Sequence, residues 1–119
     1  MDLSFRTNWV NLKAGELAEF LNKRQKGEMS FFLLDVRNPN EQEICSIPGT
    51  DLLIPVKELA ENLNLLPSKE ETIIVYCKSG VRSTTACKFL LEQGYTKLYH
   101  LQDGILAYAR EVDPEMAEY

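Results

Sequence analysis

A chain of 119 residues has room for one hydrophobic core and argues against a multidomain architecture. Hydrophobic residues at 45% and charged residues at 26% fit an ordinary globular protein, and no apolar run approaches the roughly 20 residues of a membrane span. Thirteen basic against 18 acidic side chains, net charge -5, argue against a domain that tracks nucleic-acid phosphates, since such domains are basic. Glu111, Asp113, Glu115 and Glu118 carry most of that excess, so residues 1–119 read as one domain with a core over about 10–112 and an acidic, solvated tail over 113–119.

Met1–Asn11 lacks a basic start followed by an apolar stretch, so no secretory leader is expected. Cys45, Cys77 and Cys87 form no paired spacing, and their odd number argues against a disulfide framework. A zinc site needs about four ligands. Three scattered thiols and the single His100 do not assemble one, so neither metal nor cofactor is expected and the setting is read as a reducing cytoplasm.

In chain order, a first helix follows Asn11. Leu17, Phe20 and Leu21 recur at helical spacing with Ala14 and Ala18 beside them, and Lys23, Arg24 and Lys26 form a solvated basic end before Gly27. Ser30–Val36 is a continuous apolar run, the pattern of a strand buried on both faces. Asn38, Pro39 and Glu41 then supply a cap, a first helical position and the return contact of a capping box. Ile47-Pro48-Gly49 reads as a turn. Leu52–Ile54 reads as a short strand, and Val56–Leu65 as a helix with Leu59, Ala60 and Leu63 on one side.

Thr72–Tyr76 is the strongest strand signal. After the loop Cys77-Lys78-Ser79-Gly80-Val81-Arg82 comes a helix from Ser83 to Gln93 that buries Cys87, Leu90 and Leu91 and closes on Gly94. Lys97–Leu101 is a last short strand. A final helix follows Asp103-Gly104 and carries Ile105, Tyr108, Ala109 and Val112. Strands alternating with helices predict an α/β fold with a mainly parallel sheet.

Ligands of parallel sheets bind beyond the carboxyl ends of the strands, and Cys77 stands at such an end, one short loop before a helix. Ser79 and Gly80 let the backbone curl so that N–H groups point into one concavity. The helix dipole, Lys78 and Arg82 add positive charge, and together these favour a thiolate. Cys77 is therefore the candidate nucleophile. Cys87 lies on an apolar helix stripe and reads as core, Cys45 has no basic residue near it in sequence, and His100 reads as packed or hydrogen-bonded.

Leu34-Asp35-Val36-Arg37, Ile47-Pro48-Gly49, Ile74–Ser83 and Asp103–Ala107 resemble, in order and spacing, the single-domain rhodanese-like sulfurtransferases. The resemblance spans roughly residues 10–119. It implies a rhodanese-like α/β fold, a five-stranded mainly parallel sheet flanked by helices on both faces, with Cys77 carrying a persulfide. Lys78, Ser79, Gly80, Val81 and Arg82 would bind a small anionic sulfur donor such as thiosulfate. Asp35 and Arg37 read as structural, because a buried carboxylate at a strand end pairs with basic groups or backbone N–H. Two positions depart from the family pattern. Ser46 stands where His is usual, and Tyr108 where Trp is common.

Gly104–Pro114 is similar to the rhodanese domains fused to ubiquitin-activating-like adenylyltransferases of molybdopterin, thiamine and thiolation pathways. That likeness implies a small sulfur-carrier protein and an adenylyltransferase as partners; the acidic balance and the lack of an apolar span leave neither nucleic acid nor membrane expected. The expected chemistry is covalent: the Cys77 thiolate takes the outer sulfur of the donor, and an acceptor then removes it. Backbone N–H groups of residues 78–82 would hold the anionic persulfide. Two alternatives stand beside it. One is a non-enzymatic module for docking or for sensing sulfide or redox state. The other is a cysteine phosphatase or arsenate reductase, although those resemble a Cys-x5-Arg loop and Cys77 and Arg82 enclose only four residues.

Overall fold

The computed structural model describes residues 9–119. The leader reading of Met1–Asn11 therefore concerns a stretch of which residues 1–8 lie outside the described residues. In chain order the elements are β1 (Val10–Leu12), α1 (Ala14–Gln25), β2 (Phe32–Asp35), α2 (Pro39–Ile44), β3 (Leu52–Leu53), two 3₁₀ segments (Val56–Glu61 and Leu63–Leu65), β4 (Ile73–Tyr76), α3 (Val81–Glu92), β5 (Leu98–Leu101) and α4 (Gly104–Glu111). The five strands form one sheet in the order β1-β5-β4-β2-β3, and every pair is parallel.

Successive side chains of a strand face opposite sides of a sheet, and that period builds two cores here. From β4 into the loop, Ile73, Val75 and Cys77 face one side, where they join Leu34, Leu59, Ala86, Cys87 and Leu90. Ile74 and Tyr76 face the other and meet Leu12, Leu17, Leu33, Ile105 and Tyr108. So α3 and the 3₁₀ segments cover one face, and α1 and α4 cover the other. With all four β4 residues fully buried, the central strand reads as an unbroken apolar run, as parallel sheets require.

Four details depart from the sequence reading. A strand, β1, precedes the first helix and pairs with β5, Val10 opposite Tyr99 and Leu12 opposite Leu101. Of its three residues only Leu12 is buried, so it carries no alternation to read. Val56–Leu65 is two 3₁₀ segments bracketed by Pro55 and Pro67, and their tighter winding buries Leu59 while leaving Ala60 exposed. Helix α3 starts at Val81 rather than Ser83. The tail is not simply solvated, since Met116 and Tyr119 pack against the α1–α4 core.

Arg24 also departs from the solvated helix end expected of it. Its guanidinium donates to the Phe31 carbonyl (3.2 Å), the Gly49 carbonyl (2.6 Å) and Asp51 (3.0 Å), while Lys23 and Lys26 are exposed. These contacts tie the C-terminal end of α1 to the Ile47–Gly49 turn. A cleft of about 540 Å³ beside them, lined by Leu21, Arg24, Pro48, Gly49 and Tyr108, contains no thiol.

Candidate active site

Cys77 follows β4 directly, and its thiol is buried at the carboxyl end of the sheet. The chain turns back over it through Gly80, whose φ of +109° is open to glycine and strained for other residues. A Cβ there would also strike the Gln102 carbonyl oxygen, so both conformation and space demand glycine. This turn starts α3 early and aims two backbone donors at the sulfur. The Gly80 N–H lies 3.2 Å and the Ser83 N–H 3.3 Å from Cys77 Sγ, and the Ser83 hydroxyl is also 3.3 Å away.

The loop's carbonyls face the opposite way. The Ile105 N–H donates to the Cys77 carbonyl (2.9 Å) and the Leu106 N–H to the Lys78 carbonyl (3.2 Å). Those amides belong to the first turn of α4, where N–H groups have no partner within the helix. Gly104 permits the approach, because a Cβ on it would overlap the Lys78 carbonyl. With its carbonyls held by α4, the loop presents N–H groups to Sγ, the arrangement that stabilises an anion.

The expected binding residues divide. Gly80 is the one of the five loop residues that hydrogen-bonds Sγ among the described residues; Ser79 is exposed and Val81 strongly so. Lys78 places Nζ 4.5 Å from the centre of the Tyr119 ring, a cation–π contact. Arg82 is not a free cation beside the thiol. Its fork closes on Glu41, Nη1 to Oε1 at 2.6 Å and Nη2 to Oε2 at 2.8 Å, while about a third of its side chain stays exposed. Hydrogen bonds from Arg82 hold the Glu41 carboxyl down at about 2 despite its burial, and the pairing raises the Arg82 pKa above its ordinary value.

Glu41 has a second duty in that pair. Its Oε1 also accepts the Asn38 N–H at 3.0 Å, the return bond of the expected capping box, so one carboxylate caps α2 and fixes α3. Asp35 and Arg37, read as structural, are fully buried and joined through Nε to Oδ1 (3.0 Å) and Nη2 to Oδ2 (2.7 Å). Arg37 further donates to the carbonyls of Glu41 and Cys45 and to the Tyr119 hydroxyl. Burial pulls its pKa down, but the bonds to Asp35 and Tyr119 outweigh that and leave it above the ordinary value.

Cys87 is core, as expected. Burial, with a smaller contribution from Cys77, pushes its thiol up to about 12. Cys45 is half-buried and does have a basic neighbour, Arg37, brought to it by the fold. His100 is buried and hydrogen-bonded, with Nε2 at 2.7 Å from Ser83 Oγ. Ser83 is the site residue that the sequence reading passed over. The available signal was a polar residue on the buried stripe of α3, one turn before Cys87 and two before Leu90.

The rhodanese-like domain family matches residues 16–111. Over 106 residues the chain is 38% identical to a probable adenylyltransferase/sulfurtransferase, MoeZ, of Mycobacterium tuberculosis; that match covers 87% of this chain but 26% of MoeZ. It is 34% identical to a sulfurtransferase of Allochromatium vinosum, covering 84% of this chain and 92% of that protein. Among solved structures, a rhodanese-related protein of Thermoplasma volcanium superposes with a TM-score of 0.73 at 28% identity, covering 87% of this chain and 94% of that one. The reduced CoADR-RHD of Bacillus anthracis superposes with a TM-score of 0.77 at 29% identity, 93% of this chain covering 18% of that one. This chain thus spans about a quarter of MoeZ and under a fifth of CoADR-RHD, while it matches the Allochromatium protein over nearly its whole length. A parallel five-stranded sheet, a cysteine loop under a helix N-terminus and a family match over most of the chain agree: the protein belongs to the rhodanese-like domain family.

Proposed function

We propose that this chain is a sulfurtransferase that carries a sulfane sulfur as a persulfide on Cys77. The observation that carries this reading is the pair of N–H groups, from Gly80 and Ser83, converging on a buried sulfur at the end of β4. Family membership and the full-length likeness to a sulfurtransferase support sulfur transfer as the reaction class. In the first half-reaction the Cys77 thiolate attacks the outer sulfur of thiosulfate. A bond forms between the two sulfurs, the bond to the sulfonate sulfur breaks, and sulfite leaves with that electron pair. The product is an anionic persulfide, which the loop N–H groups suit. Lys78 and the exposed part of Arg82 draw the donor dianion to the mouth.

In the second half-reaction a nucleophile takes the outer sulfur and Cys77 leaves as thiolate. Cyanide serves as the assay acceptor. The likeness to MoeZ supports a protein acceptor, a small carrier whose C-terminus an adenylyltransferase activates as an acyl-adenylate. With that acceptor the persulfide is itself the nucleophile: its outer sulfur attacks the acyl carbon and expels AMP to give an acyl-disulfide. Two equivalents of a thiol, oxidised to their disulfide, then cleave the S–S bond, releasing the carrier thiocarboxylate and the Cys77 thiolate. A cytoplasmic setting fits such partners, and no helix of the described residues is long and apolar enough to cross a membrane.

The test is thiosulfate:cyanide turnover, with peptide mapping of the added sulfur and p-nitrophenyl phosphate as counter-substrate. Turnover should vanish in Cys77→Ser, and the added sulfur should map to Cys77. Phosphatase activity without thiocyanate formation would reverse the assignment. Supplying an adenylyltransferase, ATP and a carrier ending in Gly-Gly should yield carrier thiocarboxylate; good cyanide turnover without it would reduce the function to small-molecule sulfur transfer.

A further inference from the structure

Behind Cys77 runs an unbroken line of polar contacts. Cys77 Sγ lies 3.3 Å from Ser83 Oγ, Ser83 Oγ lies 2.7 Å from His100 Nε2, and His100 Nδ1 lies 3.0 Å from Asn11 Oδ1. Cys77, Ser83 and His100 are all buried. The far end of the line is fixed. The Trp9 indole N–H donates to Asn11 Oδ1 at 3.1 Å, which identifies that atom as the oxygen. An oxygen facing Nδ1 requires Nδ1–H, and a neutral imidazole with Nδ1–H has an unprotonated Nε2. The Gly80 carbonyl, 3.2 Å from Nε2, does not call for a proton there, because it already accepts the Thr84 hydroxyl (2.7 Å) and the Thr84 N–H (3.2 Å). Ser83 therefore donates to His100 and is left to accept from the Cys77 thiol.

We infer that His100 is a positioning residue for Cys77, holding the thiol proton relayed to it through Ser83 for as long as the sulfur is anionic. The step balances within the three side chains. The S–H proton passes to Ser83 Oγ while the hydroxyl proton of Ser83 passes to Nε2, leaving a thiolate, a neutral hydroxyl and an imidazolium. In the product state every contact is matched, with Nε2–H donating to Oγ, O–H donating to sulfur, and the two loop N–H groups donating as before. If the hydroxyl alone swung towards an anionic sulfur, the lone pairs of Nε2 and Oγ would face each other at 2.7 Å. Proton transfer to the ring removes that conflict.

The surroundings suit a ring poised to accept. Burial lowers the His100 pKa, while the Gly80 carbonyl and the charge of Asp103 act in the opposite direction. Among the described residues, the other groups in contact with the ring are uncharged: the Trp9 ring stands edge-on at 6.1 Å, and Asn11 and Thr84 approach the ring nitrogens. In the resting thiol form the ring is neutral. The new charge that an anionic sulfur brings is what the imidazolium would balance.

This inference rests on the persulfide reading of Cys77, and it is tested by a measurement that needs no turnover. His100 is the single histidine of the chain, so its ring nitrogens are unambiguous in an 15N NMR spectrum of the full chain. In the resting protein at pH 7 the spectrum should show the neutral Nδ1–H tautomer; an Nε2–H tautomer would overturn the relay whatever the protein's activity. Cys77 is then loaded with polysulfide, and the loading confirmed by mass. The loaded form should show an imidazolium at the same pH, whereas protein blocked as a neutral methyl disulfide should not. A ring that stays neutral on loading would also overturn the relay, even with thiosulfate turnover intact. Conversely, loss of thiosulfate turnover with the expected tautomer and imidazolium would overturn the function and leave the relay standing. In His100→Gln, loading at pH 7 should slow by about tenfold to a hundredfold, with the gap closing above pH 9, where hydroxide takes the proton directly. Equal slowing at both pH values would mark a merely structural role. His100→Asn serves as the second variant if His100→Gln does not fold.

Discussion

Replacing Glu41 by Gln keeps the size of the side chain and the oxygen that accepts the Asn38 N–H, but removes the charge facing Arg82. Hydrogen bonds from Arg82 hold Glu41 at about 2, against an ordinary 4.5. A shift of that size corresponds to about 3 kcal/mol. Arg82 is about a third exposed, and solvent screening reduces the contribution to about 2 kcal/mol. Because the folded-state value is depressed, this stability is fully present above the ordinary carboxylate pKa and is lost as the pH falls through about 2. Urea denaturation of parent and Glu41→Gln should differ by about 2 kcal/mol at pH 7, with a Tm lower by about 10 °C. The difference should shrink steadily as the pH falls from about 4.5 towards about 2. A gap of equal size at pH 3 and pH 7, or none at pH 7, would refute the ion pair as a source of stability.

Arg82→Ala leaves the buried Glu41 carboxylate without its cationic partner, so it should lose about 1–3 kcal/mol of stability as well as about tenfold to a hundredfold in kcat/KM for thiosulfate; unchanged denaturation would contradict the pairing. Gly104→Ala forces a Cβ into the Lys78 carbonyl at a φ of +71°, and should cost about 2–4 kcal/mol by denaturation and slow persulfide loading. Native Cys87, with its thiol pushed up to about 12, should resist iodoacetamide at pH 8 and react only after unfolding; rapid native alkylation mapped to that peptide would contradict its burial. Tyr119→Phe removes the hydroxyl that bonds Arg37 and Glu41 and should lower stability by about 1 kcal/mol, read as a shift in the urea midpoint.

The parts legible in the sequence were those set by neighbouring residues. The apolar run around Leu33 and Leu34, the β-branched run before Cys77, the Asn38–Glu41 cap and the Cys-to-Arg loop each announce themselves within ten residues. What escaped was set by residues far apart. Glu41 and Arg82 meet across 41 positions, and no local pattern gives a capping carboxylate a second partner. Strand β1 was missed because three residues at a sheet edge, with one buried, show no periodicity. The tail seemed solvated because its acids dominate the composition, whereas its anchoring comes from Met116 and Tyr119. His100 was correctly read as hydrogen-bonded, but its connection to Cys77 runs through Ser83, which the apolar stripe of α3 concealed.

The grip of α4 on the carbonyls of Cys77 and Lys78 carries a consequence for the order of events in folding. The peptide planes that turn N–H groups towards the sulfur are pinned by amides at Ile105 and Leu106, more than 25 positions later in the chain. Strand β4 and helix α3 can pair and pack before those amides arrive, but the loop between them then has carbonyls free to rotate inward. A ribosome-bound chain halted ahead of Gly104 therefore lacks the α4 amides that fix the Cys77 loop. The convergence of N–H groups on this sulfur is completed at the closing step, when the last helix docks on the loop carbonyls.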